Sequence, residues 1–356
     1  MKNMKKLFKF APVLVAVALM GQGCLIQFNN AGSSDGGVWR TADKGENWTQ
    51  KNSILSVGGA RNMNTANILT FASDPTDPLT VYAGTDANGL LFTTDGGDSW
   101  TQPAALGSAR IPGIAIDRKD KCTVYAVTGG IAVKTTDCTR TWSKIYEESR
   151  TGVTLTSIVL DYFNPNNVYL ATTAKDIVKS TDGGNSWATA TVNPFPSQVN
   201  KLVIDPFDSR IIYAGTKSDG IWKTIDAGAT WVDMSAGLAQ FDGGKDFYDL
   251  VPDTTKHNGF VLVCRYGLLR TADGGLTWAK IPLVTGPGQA RIYSLAIDPA
   301  NGANMYYSTA TIFYKTANGG VNWTTKRLPT TRIGSAMMVS SKDANTVYLG
   351  TLQIKQ

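Results

Sequence analysis

The chain has 356 residues, of which 42% are hydrophobic and 17% are charged, a composition typical of a folded globular protein. Its 34 basic residues against 28 acidic ones give a net charge of +6, but four of the lysines fall within the first nine residues. Without those four the balance is 30 to 28, or +2, which excludes the concentrated basic surface of a nucleic-acid-binding protein.

The first 23 residues have the pattern of an export signal. Four lysines precede an apolar stretch at residues 10–20, which is too short to span a bilayer. Small residues then precede Cys24, and this arrangement resembles a bacterial lipobox, whose cysteine is lipidated after cleavage. Gly21 departs from the leucine that is usual three residues before that cysteine, so cleavage by the ordinary signal peptidase stays open as the alternative.

The lipobox resemblance implies an exported lipoprotein that is held at a membrane by a lipid on Cys24. Residues 24–35 would form a short tether, and residues 36–356 the folded domain. Leu25, rather than an aspartate, follows the cysteine, which favours the outer membrane over the inner one. We therefore expect the protein on the periplasmic or cell-surface side of a membrane.

An eight-residue motif recurs seven times along the rest of the chain: Ser or Thr, any residue, Asp or Asn, any residue, Gly, two further residues, and Trp. Its third position is occupied by Asp43, Asp95, Asp137, Asp182, Asp226, Asp273 and Asn318. Its last position is occupied by Trp48, Trp100, Trp142, Trp187, Trp231, Trp278 and Trp323. Successive copies lie 42 to 52 residues apart, a period typical of stacked or ringed structural repeats.

Each copy lies inside a unit that reads as four short strands, clearest at residues 290–323. Runs rich in Val, Ile, Tyr and Thr alternate there with Gly, Asp, Asn and Pro. The four predicted strands are A at Ser294–Ile297, B at Met305–Ser308, C at Ile312–Thr316 and D from about Asn322. The motif is then the hairpin between strands C and D, and its tryptophan packs back over the turn.

The two ends of the chain predict a closed ring. After the signal, the chain begins with C and D strands only, at Gly37–Thr41 and Asn47–Gln50. It stops after A and B strands only, at Ala336–Val339 and Val347–Thr351. Six complete units lie between, and the two halves together make a seventh. Since pairing them removes the exposed sheet edges, the sequence predicts an all-β fold, a seven-bladed β-propeller closed by its terminal strands.

The motifs resemble Asp-box (BNR) repeats, and the resemblance covers residues 36–351. Proteins with such repeats include the sortilin-type propellers, photosystem II assembly factors, two-propeller xyloglucanases and six-bladed sialidases. In these families the motif lies on the side of the ring away from the functional face. The resemblance therefore implies a structural role for all seven motifs and says little about chemistry.

The cysteines that follow the signal have different predicted roles. Pairing Val127 with Ile131 across a three-residue turn brings Cys122 within reach of Cys138, and a disulfide there would compensate for Thr139, which replaces the motif glycine. Cys264 lies alone in a strand and is expected to be a buried thiol.

Catalytic and metal-binding patterns are scarce in this sequence. Its single histidine, His257, lies in a polar turn, which excludes a site with several histidine ligands and argues against a Ser-His-Asp triad. We expect no metal and no cofactor.

Basic residues recur where strand D of one unit leads into strand A of the next. Arg110 and Arg291 occupy the same repeat position, in ARIPGIAID and ARIYSLAID, so Arg110 is a repeat feature and not the first arginine of a sialidase triad. Arg332 is a third such residue, and Arg61, Arg150 and Lys245 lie in corresponding connections. These residues are expected to surround the central opening on the face opposite the motifs, where their positively charged groups would bind carboxylates. The alternative is that each arginine packs on a neighbouring blade and donates to a carbonyl group.

The longest connection, Asp233–Phe247, carries Phe241 and Lys245 and leads into Tyr248. Aromatic rings beside charges in such a loop suit contact with a protein or a glycan.

We expect a membrane-tethered, non-enzymatic binding or assembly module whose loop-rich face recognises a protein or an anionic ligand. The alternative is a glycoside hydrolase-like propeller that uses two of four acids as a catalytic pair. The candidate acids are Asp86, Asp176, Asp219 and Asp246.

Overall fold

The computed structural model describes residues 34–56, 59, 61–191 and 194–354, which belong to one unit, Ser33–Gln356. The predicted signal at residues 1–23, the lipidation site Cys24 and the tether up to residue 33 lie outside the described residues. The helices of the described part are two short 3-10 turns, Ala104–Leu106 and Ser235–Leu238. None of its helices is long and apolar enough to cross a membrane.

Five blades are four-stranded antiparallel sheets in which sequential strands A to D are neighbours. Blade 2 comprises Gly113–Ile116, Val124–Thr128, Ile131–Thr135 and Ser143–Glu147, and blade 3 comprises Leu155–Leu160, Val168–Thr172, Ile177–Ser180 and Ala188–Thr191. Blade 4 comprises Val199–Ile204, Ile212–Thr216, Ile221–Thr224 and Val232–Asp233. Blade 5 comprises Phe247–Pro252, Phe260–Cys264, Gly267–Thr271 and Ala279–Lys280, and blade 6 comprises Ser294–Asp298, Asn301–Ser308, Ile312–Thr316 and Thr324–Arg327.

Blade 7 is assembled from both ends of the folded domain, as the sequence predicted. Its strands A and B are Ile333–Val339 and Val347–Leu352, and its strands C and D are Val38–Thr41 and Thr49–Gln50. Strand C pairs antiparallel with strand B, with residue 38 opposite 350 and residue 41 opposite 347. Together with the other blades, this closure confirms the seven-bladed β-propeller.

Blade 1 departs from the regular plan. Its sheet contains three strands, Ile68–Ser73, Val81–Thr85 and Leu90–Thr93, and strand D is reduced to one bridge between Phe92 and Thr101. A small hairpin of Ser53–Ile54 and Arg61–Asn62 fills the preceding connection. Ile54 forms a bridge to Trp100, so this hairpin takes up part of the edge that strand D would cover.

The A strands line the axis of the ring. Strand A of each blade contacts strand A of the next, and these contacts run from blade 1 through blade 7 and back to blade 1. They surround a channel with a volume of about 580 Å³ that residues from all seven A strands line. Most residues of the B strands are buried, as in VYAGT at residues 81–85, because neighbouring blades cover both faces of each sheet.

The eight-residue motif builds the same hairpin in every blade. In blade 1, the Thr93 hydroxyl accepts the Gly97 N–H at 2.9 Å and donates to the Asp95 carboxylate at 2.6 Å. That carboxylate also accepts the N–H of Ser99 at 2.9 Å, and the corresponding three bonds occur in all seven copies. In blade 4, hydrogen bonds from Thr224 and Thr230 lower the pKa of Asp226 to about 2.

Each motif is also bonded to the turn between strands A and B of its own blade. The N–H of the fourth motif residue donates to a carbonyl at the end of that turn or the start of strand B in all seven blades, as Gly183 does to Asn166 at 2.9 Å. A–B turns and C–D hairpins therefore share one side of the ring, which we call the motif face. The D–A and B–C connections form the opposite side, which we call the top face.

In blade 2 the two residues joined by this backbone bond are Cys138 and Cys122, and the structure links their side chains by a disulfide. The predicted strand register was wrong by one residue. Ile131 pairs with Thr128, and Ala132 with Val127, because the hairpin closes on a two-residue turn. Its first residue, Gly129, has a φ of 54°, the left-handed conformation that glycine adopts without strain.

We expect Asn318→Asp in the blade 6 motif to raise the melting temperature at pH 7 by about 1–3 °C. The blade 7 motif provides the internal precedent, because Asp43 accepts both the backbone N–H and the side-chain amide of Asn47, each at 2.8 Å. In blade 6, Asn318 accepts the backbone N–H of Asn322 at 3.0 Å, and a carboxylate would accept more strongly.

Asp43→Asn is the matched control and should lower the melting temperature by a similar amount. Hydrogen bonds from Thr41 and Asn47 hold the pKa of Asp43 below its usual value, so its stabilisation is present above about pH 4 and is lost as the pH falls through the lowered value. Thermal unfolding followed at pH 7 and at pH 2 tests both variants. An unchanged or lower melting temperature for Asn318→Asp at pH 7 would contradict the prediction.

Candidate functional site

The predicted arginines lie on top-face connections, but their surroundings differ. Arg110 precedes strand A of blade 2, and its side chain is more than half exposed. Its Nε lies 3.0 Å from Oδ1 of Asp86, which belongs to the B–C turn of blade 1. The guanidinium charge of Arg110 is therefore already paired at the surface.

Arg332 is buried, with 4% of its surface exposed, so the expectation that it lines an open mouth is wrong. Its Nη1 donates to the carbonyls of Thr65 and Ala66 at 3.2 and 3.4 Å and to Oδ1 of Asn67 at 3.3 Å. Its Nε lies 4.0 Å from Asp35, and burial lowers the pKa of the guanidinium. Arg332 thus joins blade 7 to the connection that enters blade 1.

Arg61 and Lys245 are exposed but do not line the channel. Arg61 lies in the second strand of the small hairpin, where Nη2 donates to Oε1 of Gln102 at 3.2 Å. Lys245 lies in the connection from blade 4 to blade 5, residues 234–246, which we call the blade 5 insertion. Its carbonyl accepts the N–H of Gly220 at 3.0 Å. Neither side chain is brought together with the arginines of the other blades, so the predicted ring of charges is not continuous.

Arg291 is the predicted arginine that the structure presents to the channel mouth. Its guanidinium carbon lies 4.6 Å from the ring centre of Tyr248 and 5.3 Å from that of Tyr293. Both tyrosines line the channel, and Arg291 itself is exposed. Among the described residues, no carboxylate lies within 4.0 Å of this guanidinium. The two rings brace the cation through cation–π contacts and leave its donors available.

A polar segment of the channel adjoins this arginine. Nζ of Lys201, on strand A of blade 4, lies 2.5 Å from Oδ1 of Asp249, on strand A of blade 5. Asp249 follows Tyr248 directly in the chain, and Asn200 precedes Lys201. Blades 4 to 6 therefore place a lysine–aspartate pair, two tyrosines and Arg291 at the channel mouth. Of these charged groups, Arg291 has no carboxylate partner in the described part of the chain.

Two further top-face arginines are each held by two carboxylates. Arg150 contacts Glu148 at 2.8–2.9 Å and Asp176 at 2.5 Å, and the two acidic side chains are only 3% and 5% exposed. Hydrogen bonds from Arg150 lower the pKa of Glu148 to about 2. The Glu-x-Arg spacing at residues 148–150 indicates the ion pair between Arg150 and Glu148. The ion pair with Asp176 could not be predicted from spacing, because Asp176 lies in a different turn.

The blade 5 insertion is braced in the same way. Arg265 contacts Asp246 at 2.5 Å and Asp242 at 3.1 Å. The Phe241 ring packs edge-on against Tyr266, with 5.0 Å between ring centres, and is partly buried. Phe241 therefore holds the insertion against its own blade, whereas Tyr248 lies in the channel beneath Arg291.

The candidate catalytic acids are engaged in local contacts. Asp86, Asp176 and Asp246 each form an ion pair with an arginine. Asp219 lies within 3.5 Å of the Ser218 hydroxyl. Within residues 34–354, as far as they are described, no group of three or more His, Cys, Asp or Glu residues is placed to hold a metal ion. The free thiol of Cys264 is buried, and burial raises its pKa to about 11.

Comparison with known proteins gives one relative by sequence and several by fold. No family model matches the chain. The photosystem II assembly protein Ycf48 of Thermosynechococcus vestitus is 24% identical over 189 residues, which are 52% of this chain and 50% of that protein. The match thus spans about half the length of the curated relative.

Solved structures share the fold at low sequence identity. YCF48 from Cyanidioschyzon merolae has a TM-score of 0.61 and 14% identity, covering 80% of this chain and 95% of that one. A structure of YCF48 bound to D1 peptide has a TM-score of 0.61 and 14% identity, covering 81% and 94%. The GH74 xyloglucanase of Xanthomonas campestris has a TM-score of 0.65 and 16% identity, covering 81% of this chain and 51% of that one.

Proposed function

We propose that this propeller is a non-enzymatic binding module that captures a protein partner on its top face, with Arg291 as the central contact. The observation that carries the proposal is the setting of Arg291, which is exposed and braced by Tyr248 and Tyr293. A guanidinium without a carboxylate partner can form two parallel hydrogen bonds to a carboxylate of the partner. The tyrosines add rigid contact area at a small cost in side-chain entropy.

The similarity to Ycf48 supports a protein partner. That relative is an assembly protein by name, and one structure of similar fold is of YCF48 bound to D1 peptide. Because the sequence match covers half of the relative, the partner of this chain is inferred only by class. We infer a segment that carries at least one carboxylate, because Arg291 is exposed beside the channel tyrosines and has no carboxylate within 4.0 Å among the described residues.

Replacing Arg291 by Ala is expected to reduce partner capture at least about tenfold, since charge-assisted contacts contribute on the order of 1.5–3 kcal/mol. The measurement is crosslinking and co-purification from the native organism with tagged wild-type and variant proteins, followed by quantitative mass spectrometry. Arg291→Lys should retain part of the binding because it keeps the charge but loses the bidentate geometry.

Arg110→Ala is the matched control, because Arg110 occupies the same repeat position but is paired with Asp86. It should capture the same partners at nearly wild-type levels. If Arg291→Ala and wild type capture the same partners equally, the top-face proposal is wrong. Unchanged melting temperatures would show that neither variant acts through unfolding.

The alternative function is glycan hydrolysis, which the fold shared with the xyloglucanase favours. A glycosidase needs one carboxyl group as acid and a second as base or nucleophile. Asp86, Asp176 and Asp246 are instead neutralised by arginines in this chain. Release of reducing ends from xyloglucan by the wild-type protein, abolished by one Asp→Asn change, would overturn the non-enzymatic proposal.

We also infer that the seven motifs are Asp-box repeats and that the chain is an exported lipoprotein, with its signal at residues 1–23 and its tether at residues 24–35. Cys24→Ser should move the protein from the membrane fraction, more specifically the outer membrane, into a soluble extracytoplasmic fraction. Mass spectrometry of the mature wild-type N-terminus should find acyl chains on Cys24. An unmodified N-terminus at another residue would show that the ordinary signal peptidase had cleaved instead.

A further inference from the structure

A second cavity lies at the opposite end of the channel, on the motif face. Its volume is about 380 Å³, and its lining comes from the ends of strands A and the A–B turns of blades 1, 2 and 3 and from the A–B turn of blade 7. This volume falls in the range that small-molecule sites occupy. The top-face site described above does not use this end of the ring.

The lining combines apolar walls with one charge. Ile114, Ile116, Ile158 and Leu160 supply apolar surface, and Arg118 is the one charged residue of the lining. The Arg118 guanidinium carbon lies 3.6 Å from the ring centre of Tyr162, which fixes it at the cavity wall. In the part of the chain that the structure describes, no carboxylate lies within 4.0 Å of Arg118.

Comparison among the blades shows that the fold does not require an arginine at this position. Arg118 is the second residue of an A–B turn that every blade contains. The seven residues at this position are Pro75, Arg118, Tyr162, Pro206, Thr254, Pro299 and Ser341. Proline, tyrosine, threonine and serine complete the same turn elsewhere, so the turn geometry does not explain the exposed cation in blade 2.

Apolar and positive groups extend from the cavity onto the surrounding surface. Phe163 and Phe207, at the next turn position in blades 3 and 4, are 58% and 46% exposed. Nζ of Lys119 donates to the Phe163 carbonyl at 2.7 Å, which places a second positive charge beside Phe163. Exposed large apolar side chains grouped on one surface mark an interaction site.

We propose that this motif-face cavity binds a small free carboxylic acid with an apolar body, such as a medium-chain alkanoate. The carboxylate would accept hydrogen bonds from Arg118, and the alkyl chain would lie against the isoleucines and Leu160. The cavity sits among the A strands of three blades, and its volume matches a small molecule. A free acid therefore fits it better than a folded partner, and this site is independent of Arg291.

The test is isothermal titration calorimetry of the mature protein at pH 7 with three probes that share one chain: octanoate, octanol and octyltrimethylammonium. Octanoate and octyltrimethylammonium are used below their micelle-forming concentrations, and octanol is used below its solubility limit in water. Octanoate should bind at least about tenfold more tightly than the other two, because it alone pairs with the guanidinium. Arg118→Ala should remove this difference, and Ser341→Trp, at an exposed position of the rim, should weaken all binding by filling the mouth.

Arg291→Ala should leave octanoate binding unchanged, which separates this site from the top-face site. Equal affinity for octanoate and octanol, full octanoate binding by Arg118→Ala, or the absence of saturable binding would each overturn the proposal. Loss of octanoate binding in Arg291→Ala but not in Arg118→Ala would assign the acid to the top face and would overturn it as well. Arg118 and Ser341 are exposed, so both variants are expected to fold.

Discussion

Truncating the chain after Arg332 is expected to abolish cooperative folding of the whole ring rather than to fray one blade. The truncation removes Ile333–Val339 and Val347–Leu352, the two inner strands of blade 7. Val38–Thr41 then loses the strand with which it pairs, and the A strands of blades 6 and 1 lose the neighbour that connects them. An open ring exposes two sheet faces that the closed ring buries.

The expected size of the effect follows from the buried side chains of strand B. Val347, Tyr348 and Leu349 are almost fully buried, and the Tyr348 hydroxyl donates to the Gly96 carbonyl in blade 1 at 2.9 Å. Burial of one such side chain contributes about 1.5–3 kcal/mol, so three approach the whole stability of a typical domain, about 5–15 kcal/mol.

Circular dichroism and limited proteolysis across a thermal ramp would measure this loss. The control is truncation after Gln353, which keeps every strand and removes an end whose Ile354 side chain is half exposed. That control should melt like the full chain. A cooperative transition near the wild-type temperature in the chain truncated after Arg332 would show that blade 7 is dispensable, against the closure described here.

Arg332→Ala is expected to destabilise the propeller by about 2–4 kcal/mol, whereas Arg110→Ala should cost less than about 0.5 kcal/mol. Removing the buried guanidinium leaves the carbonyls of Thr65 and Ala66 and the side chain of Asn67 without this donor and opens a cavity. Arg110 is exposed and loses one surface ion pair, which contributes little.

Urea unfolding monitored by tryptophan fluorescence gives both free energies. Arg332→Lys is the intermediate variant, since it keeps a buried positive charge but cannot reproduce the planar donors of arginine. An Arg332→Ala protein with the wild-type urea midpoint would mean that the hydrogen bonds of Arg332 do not stabilise the junction. Because Arg332→Ala is expected to destabilise the fold, a double variant with Arg291→Ala would lose partner binding through unfolding as well as through the lost contact. Binding tests should therefore use Arg291→Ala alone.

The architecture could be predicted from the sequence because the period and the turn residues agree. The motif fixes each C–D hairpin, and the incomplete units at the two ends specify closure. The exact bounds and lengths of some strands could not be predicted, because they depend on contacts with other segments of the chain. Strand D of blade 6 begins at Thr324, two residues later than predicted. The short strand D of blade 1 depends on a hairpin from another connection, which no local pattern indicates.

The binding surface could be predicted only in part because equivalent positions in a repeat fix the backbone and not the partners of the side chain. Arg110, Arg291 and Arg332 occupy equivalent connections, yet they contact a carboxylate, two tyrosines and buried carbonyls, respectively. Each partner comes from a different segment of the chain. The exposed cation of Arg118 lies in a turn whose sequence resembles the other six, and only comparison with them indicates that it is unusual.

The assembly of blade 7 from both chain ends also sets the order of events during folding. The Thr351 N–H and hydroxyl both donate to the carbonyl of Gly37, 314 residues earlier in the chain. Contacts of such long sequence separation form slowly, because the intervening chain must first be ordered. Val38–Thr41 can pair early only with the short strand Thr49–Gln50, whereas its other neighbour, Val347–Leu352, comes from the far end of the folded domain. The ring therefore cannot close until that distant strand has been made.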